Sequence, residues 1–497
     1  MATQPQKNPI HFVMLPLGAQ GHLIPMIDIA RVLARRINVI VTIVTTPRNT
    51  ARFNSIIQRD IQSGLPIRVS QLQFPHAETG LPEGSESLDT LPSPTFLKNY
   101  MHALSLLQQP LEKILQELNP NPSCMVSDKH IIWAAETAQK FRIPRVLFDG
   151  MSCFARLFDH MLCTSKAHES VSDLSKPFLV PGLPDRVELN RAQLPGSFNP
   201  GLDQVLNDMR NKVKEAEQGA FGVLINSFEE LEGEYVKIHT EKSGEKIWCI
   251  GPVSLCNKDD LDKAQRGNDN YNASNDRDKD SLFTWLDSWG QNSVVYACLG
   301  SLNRLTPPQL AELGLALEAS KRPFVWVIRG ANKGEEFEEW LKEDGFEERT
   351  RGQGFLIRVW APQVLILSHP AIGAFLTHCG WNSTLEGVCA GVPMVTWPLF
   401  AEQFYNEKFI VQVKEIGVRV GAEVVVHLGE EERFGGLVKR DQIREAIDKV
   451  MDEGKEGEER RGRARKLAKS AKEAVDEGGS SYTNITLLLD DIMHNMC

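Results

Sequence analysis

The chain has 497 residues and a formal net charge of −10. Hydrophobic residues make up 42% and charged residues 24%, the balance of a globular protein with a sizeable core. At roughly 100–200 residues per domain the length suits two or three domains, and the acidic balance argues against general nucleic-acid affinity or an anionic membrane surface.

The first apolar run is "IHFVML" (10–15). The loop "LPLGAQGHLIP" (15–25) follows, with two glycines and a histidine. Leu23, Ile27, Ala30 and Ala34 then fall at helical spacing, and Pro25 suits a first turn. "INVIVTIVTT" (37–46), "SCMVSD" (123–128), "IPRVLF" (143–148) and "GVLINS" (222–227) are of strand length. Several are apolar throughout, as strands buried on both faces of a parallel sheet must be. Residues 257–280, "NKDDLDKAQRGNDNYNASNDRDKD", are almost wholly polar and read as a linker. The alternation then restarts with "SVVYACLGS" (293–301), "PFVWVIR" (323–329), "GFLIRVW" (354–360), "AIGAFLTH" (371–378) and "VPMVTWP" (392–398). Two α/β halves joined by a polar segment predict two doubly wound domains facing a cleft. "EERRGRARKLAKSAKEAVDE" (458–477) predicts a charged, solvated helix rather than a nuclear localisation signal. The closing "NITLLLDDIM" predicts a short amphipathic helix that packs back on the other domain.

Nine cysteines are dispersed without a CxxC pair, which excludes a zinc ribbon or thioredoxin-type site and fits reduced thiols. "MATQPQKNPIHFVML" lacks the basic start and long apolar core of a signal peptide. No stretch reaches the ~18 uncharged apolar residues of a membrane span. A cytoplasmic location is expected, with the sequons at Asn272, Asn382 and Asn484 unglycosylated.

The most informative stretch is "WAPQVLILSHPAIGAFLTHCGWNSTLEGVCAGVPMVTWPLFAEQ", from Trp360 to Gln403. "AIGAFLTH" is a strand, and "CGWNSTLEGVCAG" turns into a helix. Asn382 and Ser383 then lie in a first turn, where free N–H groups and the helix dipole attract phosphate. Gly380 is expected to clear space for a closely approaching ligand. Glu386 shares the face of Asn382 and could accept hydrogen bonds from a ribose diol, Trp360 could stack on a base, and Glu402 and Gln403 would face the same cleft. Adjacent His378 and Cys379 without partners do not make a metal site.

This 44-residue string closely resembles the donor-binding signature of the plant UDP-dependent glycosyltransferases of glycosyltransferase family 1. The resemblance covers nearly the whole chain. "GPVSLCNK", "LNRAQLP", "ASKRPFVWVIRG" and "DEGGSS" are similar to the branch of deoxynivalenol, brassinosteroid and triterpenoid sapogenin glucosyltransferases. It implies a GT-B fold, two Rossmann-like doubly wound domains. Acceptor would bind in an N-terminal domain over 1–256 and UDP-sugar in a C-terminal domain over 281–475. Residues 257–280 would be the linker, and 476–497 the returning helix. By position, Trp360 would stack on uracil, with the Ala361 backbone at its edge. Gln363 and Glu386 would hold the ribose, and Ser301, His378, Asn382 and Ser383 the diphosphate. Trp381, Glu402 and Gln403 would hold the sugar hydroxyls. Gln403 with Trp381 implies UDP-glucose, where a histidine at 403 would imply galactose. The family usually carries aspartate where this chain has Glu402.

The resemblance also makes His22 the general base and Asp128 its partner. Sugar transfer to a hydroxyl needs a base to take the proton, and imidazole titrates near neutrality. A helix N-terminus disfavours imidazolium, so His22 is expected to be neutral and ready to accept. Gly18 and Gly21 are expected to clear space for the acceptor. The helix end and polar groups can meet the charge of departing UDP. No DxD-type cluster stands ready for a metal, and the acidic runs at 258–262 and 276–280 are expected to be solvated. Neither a metal nor a resident cofactor is expected.

The resulting expectation is an inverting UDP-sugar-dependent O-glycosyltransferase. It would glucosylate a lipophilic plant metabolite, first a triterpenoid or steroid sapogenin, next a flavonoid or other phenolic. A chain-extending enzyme using UDP-galactose, UDP-xylose or UDP-glucuronate is the further alternative, and a non-catalytic UDP-sugar binder is remote. A nicotinamide oxidoreductase fits poorly, because "GAQGH" lacks the full GxGxxG and "IVTTPRN" offers no acidic residue for an adenine ribose. A monomer is expected, with no nucleic-acid partner and no integral membrane association. Met151, Phe154 and Phe158 suit an apolar acceptor pocket or core packing.

Overall fold

A computed structural model describes residues 9–198, 204–268, 273–303, 305–329, 334–427, 430–434 and 438–495. The first half is one parallel sheet of seven strands. In chain order these are β1 (Ile10–Leu15), β2 (Val39–Thr45), β3 (Ile67–Gln71), β4 (Cys124–Asp128) and β5 (Arg145–Asp149). A small hairpin, β6 (Phe178–Leu179) and β7 (Glu188–Leu189), precedes β8 (Gly222–Ile225) and β9 (Ile247–Cys249). The spatial order is β3-β2-β1-β4-β5-β8-β9. β1, β4, β5 and β8 are buried at every position, which explains their unbroken apolar runs.

The second half is a parallel sheet of six strands: β10 (Val294–Cys298), β11 (Phe324–Val327), β12 (Gly354–Ile357), β13 (Ile372–Thr377), β14 (Met394–Thr396) and β15 (Gly417–Arg419). Its order is β12-β11-β10-β13-β14-β15. Each sheet winds outward from its first strand and then returns to that strand's other side. The crevices between β1 and β4 and between β10 and β13 are therefore the two topological switch points, where such sheets bind ligands. This is the α/β architecture of two doubly wound halves.

The last helix, Ser480–Asn495, lies on the first half. Ile485, Leu488 and Ile492 join the core of β1 and β2, and Asn484 Nδ2 donates to the Cys249 carbonyl at 3.1 Å. The charged stretch at 458–477 lies in a helix, Lys455–Val475, that is not solvated all round. It buries Ala464, Ala468, Ala471 and Ala474, and Gly391 closes against Ala464, Arg465 and Ala468.

The segment 257–280 departs from a solvated linker. Asp260–Gln265 is a short helix, and Asp262, Gln265, Arg266 and Asn268 are buried. Asp262 pairs with Arg31 at 2.5 Å and Arg59 at 2.6 Å, so part of the acidic run at 258–262 is spent on buried cations. Residues 269–272 lie outside the described residues, as do the side chains of 276–278 in the second acidic run.

Candidate active site

His22 sits in the first turn of the helix Gln20–Ala34, which follows β1 directly. Asp128 is the last residue of β4, the neighbouring strand. The switch point thus brings together residues 106 positions apart, with His22 Nδ1 2.6 Å from Asp128 Oδ2. A carboxylate at Nδ1 fixes that nitrogen as the donor and leaves Nε2 as the basic one. Asp128 is fully buried, and its other oxygen accepts from His130, backbone N and ring Nδ1 both at 2.9 Å.

The electrostatics correct one expectation. Burial works against a charged His22, but the Asp128 carboxylate outweighs it, and the imidazole pKa stands above its ordinary value of 6.5. Burial would raise the Asp128 carboxyl, yet His22 and His130 hold it well below the carboxylate range. The Asp128 carboxylate sets the direction of the shift.

The glycines of the opening loop also differ from expectation. A Cβ on Gly18 would lie 2.6 Å from the Tyr100 hydroxyl and closer still to the Glu86 carbonyl. Gly18 is required by its own domain's packing. Gly21 faces the other half, its carbonyl accepting from Asn382 Nδ2 at 2.5 Å. The turn that carries His22 is therefore seated against the N-terminus of the helix Trp381–Ala390.

That helix follows β13, across the β10/β13 switch point from the loop containing Ser301. His378 is half-buried there, its ring between Gly300 and Gly380. A Cβ on Gly300 would lie 2.7 Å from its ring, and one on Gly380 would overlap Nε2. Gly380 makes room for His378, not directly for a ligand. Burial lowers the His378 pKa to about 4, so the ring is neutral, and Nδ1 has no partner among the described residues. Asn382 spends its side chain across the cleft, donating to Gly21 and accepting from Asn226 Nδ2 at 3.3 Å. Its backbone N–H lies in the first turn, where a helix has no partner of its own for that group. Trp381 is buried, and its indole donates to the Asn226 carbonyl at 2.8 Å. Its indole N–H is therefore committed to the interface between the halves.

The remaining candidate residues lie close to one another. Gln363 Nε2 donates to Ser383 Oγ at 3.0 Å and to Glu386 Oε2 at 2.8 Å, while Tyr296 donates to Gln363 Oε1 at 3.3 Å. Ala361 is buried, and its carbonyl accepts from the Gln363 backbone at 2.8 Å. Trp360 is half-buried, with the Arg329 guanidinium 4.5 Å from its ring centre. Gln403 accepts from the Leu399 and Phe400 backbones at 2.9 and 3.2 Å, which leaves its amide N–H groups free to donate. Burial lifts the Glu402 carboxyl above its ordinary range, opposed by the charges of Lys129 and His22. Phe154 and Phe158 are core, their rings packed at a tilt on Phe409 and Tyr405, whereas Met151 Sδ meets Lys129 Nζ at 3.1 Å.

Three participants escape the sequence reading. His130 shares the Asp128 carboxylate, and its offset of two residues, typical of an Asx turn, was the available signal. Lys129 pairs with Asp149 at 2.8 Å beside the pair, and Arg266 reaches Glu386 at 2.5 Å. Among the described residues, His22, Asp128 and His130 also place ligand-type atoms within 4.8 Å of one another. No helix among them is long and apolar enough to cross a membrane.

Comparison with known proteins gives the same reading. Residues 268–431 match the family described as UDP-glucoronosyl and UDP-glucosyl transferase, and residues 8–255 match the glycosyltransferase N-terminal domain. UDP-glycosyltransferase 73C6 of Arabidopsis thaliana is 49% identical over 98% of this chain and 97% of its own. UDP-glycosyltransferase 73C11 of Barbarea vulgaris is 47% identical over 98% and 97%. The crystal structure of Glycyrrhiza uralensis UGT73P12 complexed with glycyrrhetinic acid 3-O-monoglucuronide superposes with a TM-score of 0.91 at 37% identity, covering 98% of this chain and 96% of that one. Phytolacca americana UGT2, complexed with UDP-2fluoro-glucose and pterostilbene, gives 0.74 at 26% identity, over 97% and 100%. The chain, with its GT-B fold, belongs to the plant UDP-glycosyltransferases of glycosyltransferase family 1, enzymes that transfer a sugar from a UDP-sugar.

Proposed function

We propose that this enzyme inverts the anomeric carbon of UDP-glucose while transferring the sugar to a hydroxyl of a lipophilic alcohol, foremost a triterpenoid or steroid sapogenin. The carrying observation is the His22–Asp128 pair held against the N-terminus of the helix Trp381–Ala390. His22 Nε2 takes the acceptor's O–H proton as that oxygen forms its bond to the anomeric carbon. The bond from that carbon to the β-phosphate oxygen breaks, and UDP leaves with the electron pair. Asp128 stabilises the imidazolium, and the first-turn N–H groups with His378 Nδ1–H meet the diphosphate charge. Trp360 stacks on uracil beside the Ala361 backbone, and Gln363 and Glu386 hold the ribose. Ser301 and Ser383 complete the phosphate cradle, and Glu402 and Gln403 hold the sugar. No step runs through a metal or a resident cofactor.

The triterpenoid acceptor is supported by the 37%-identical relative that binds glycyrrhetinic acid 3-O-monoglucuronide. That bound molecule already carries a sugar, which favours chain extension as the second reading. Initial rates with UDP-glucose, UDP-galactose and UDP-glucuronate against sapogenins, their monoglycosides and flavonoids test both. Preferred use of UDP-glucose on a free sapogenin hydroxyl supports the first, and turnover confined to monoglycosides supports the second.

A further inference from the structure

The segment between the two sheets sends one charged side chain into the donor site. Arg266 is 9% exposed. Its Nε donates to Asp28 Oδ2 at 2.7 Å and its Nη1 to Glu386 Oε1 at 2.5 Å. Asp28 lies on the helix that carries His22, and Glu386 on the helix Trp381–Ala390. Gly267 follows at φ +78°, and a Cβ there would lie 2.8 Å from Trp360 Cη2 and 2.5 Å from Ile24 Cδ1. Backbone therefore lies against the edge of the indole, where no larger residue fits.

A carboxylate offers about four lone-pair sites. Gln363 takes one on Oε2 of Glu386, and Arg266 takes one on Oε1. Two stay open, the number that a ribose diol needs. Arg266 is unsuited to act as a removable plug. Its departure would leave the buried Glu386 without its ion-pair partner and the buried Asp28 with only the charge of Arg31.

We propose that Arg266 is a donor-positioning residue. It orients Glu386 toward the ribose hydroxyls and, through Asp28, ties that carboxylate to the helix bearing the base. The inference rests on the reading of Glu386 as a ribose ligand.

The test is calorimetric binding of UDP and of its 2′,3′-dideoxy analogue to full-length wild type, Arg266→Ala, Arg266→Lys, Asp28→Asn, Glu386→Ala and the Arg266→Ala/Glu386→Ala double variant. Loss of one charged hydrogen bond predicts that Arg266→Ala weakens UDP by about 10- to 100-fold. Arg266→Lys and Asp28→Asn should show smaller losses, and they carry the test if Arg266→Ala does not fold. The dideoxy analogue should bind wild type and Arg266→Ala alike, and Arg266→Ala should add little in the Glu386→Ala background. Unchanged or tighter UDP binding by Arg266→Ala overturns the proposal. So does an equal loss for both nucleotides and in both backgrounds, which marks a merely structural role. If Glu386→Ala itself leaves UDP affinity unchanged, the ribose reading beneath the proposal fails, and that result is distinguishable from the other two.

Discussion

The Asp128 carboxylate stands between two imidazoles, with Oδ2 2.6 Å from His22 Nδ1 and Oδ1 2.9 Å from His130 Nδ1. His22 can work as a base only when unprotonated, and Asp128 raises the pH at which that happens. Transfer should therefore rise with pH along a limb centred above 6.5. Asp128→Asn removes the charge that lifts the imidazole, while burial and Lys129, which both lower it, stay. The rate should fall and the limb should move to lower pH. A pH profile of kcat/KM for both proteins checks the direction, and a limb that stays in place excludes Asp128 as the partner.

Stacking of a base on an aromatic ring is worth ~1–3 kcal/mol. Trp360→Ala should accordingly weaken UDP by about 5- to 150-fold. Calorimetric titration with UDP measures it, and the acceptor KM should not change.

Gln403 fixes its amide oxygen on the Leu399 and Phe400 backbones, so its amide N–H groups are the ones left to donate to the proposed sugar. Gln403→His replaces that arrangement with an imidazole and should lower turnover of UDP-glucose relative to UDP-galactose. Paired initial rates with the two donors give the ratio. An unchanged ratio removes Gln403 from sugar recognition.

Gly18 and Gly21 should respond differently to a methyl group. Gly18→Ala forces a carbon into Glu86 and Tyr100, and overpacking of this kind costs about 1–3 kcal/mol. A Cβ on Gly21 would meet only Asn382 Nδ2, at 3.7 Å, and alanine is the better helix former. Thermal unfolding should show a lower midpoint for Gly18→Ala and none for Gly21→Ala.

Most strands legible in the sequence are buried on both faces, because burial demands an unbroken apolar run; the edge strand β12, read from "GFLIRVW", is the exception. β1 and β13 are examples, with every residue buried. β3, β9 and β15 lie at sheet edges and give no such run: β3 buries only Ile67 of its five residues, and the others are three residues long. The polar segment 257–280 misleads for a related reason. Composition records that Asp262 and Arg266 are charged, not that Arg31, Asp28 and Glu386 wait to pair with them. In the site, His22 and Asp128 were singled out by the family resemblance, and their strand ends converge at a switch point to 2.6 Å. Gly380 and Trp381 were legible as a turn, but a glycine shows that a side chain is excluded, not what excludes it. Here the excluding group is the ring of His378. Asn226, whose carbonyl takes the Trp381 indole N–H, lies 155 residues away and left no local signal.

The central claim is that His22 takes the acceptor's proton. The direct measurement is transfer by His22→Ala with UDP-glucose and any acceptor the wild type uses, alongside UDP binding by calorimetry. Loss of a general base predicts a rate lower by ~10²–10⁴-fold with UDP affinity unchanged. Transfer at the wild-type rate with normal UDP binding would contradict it.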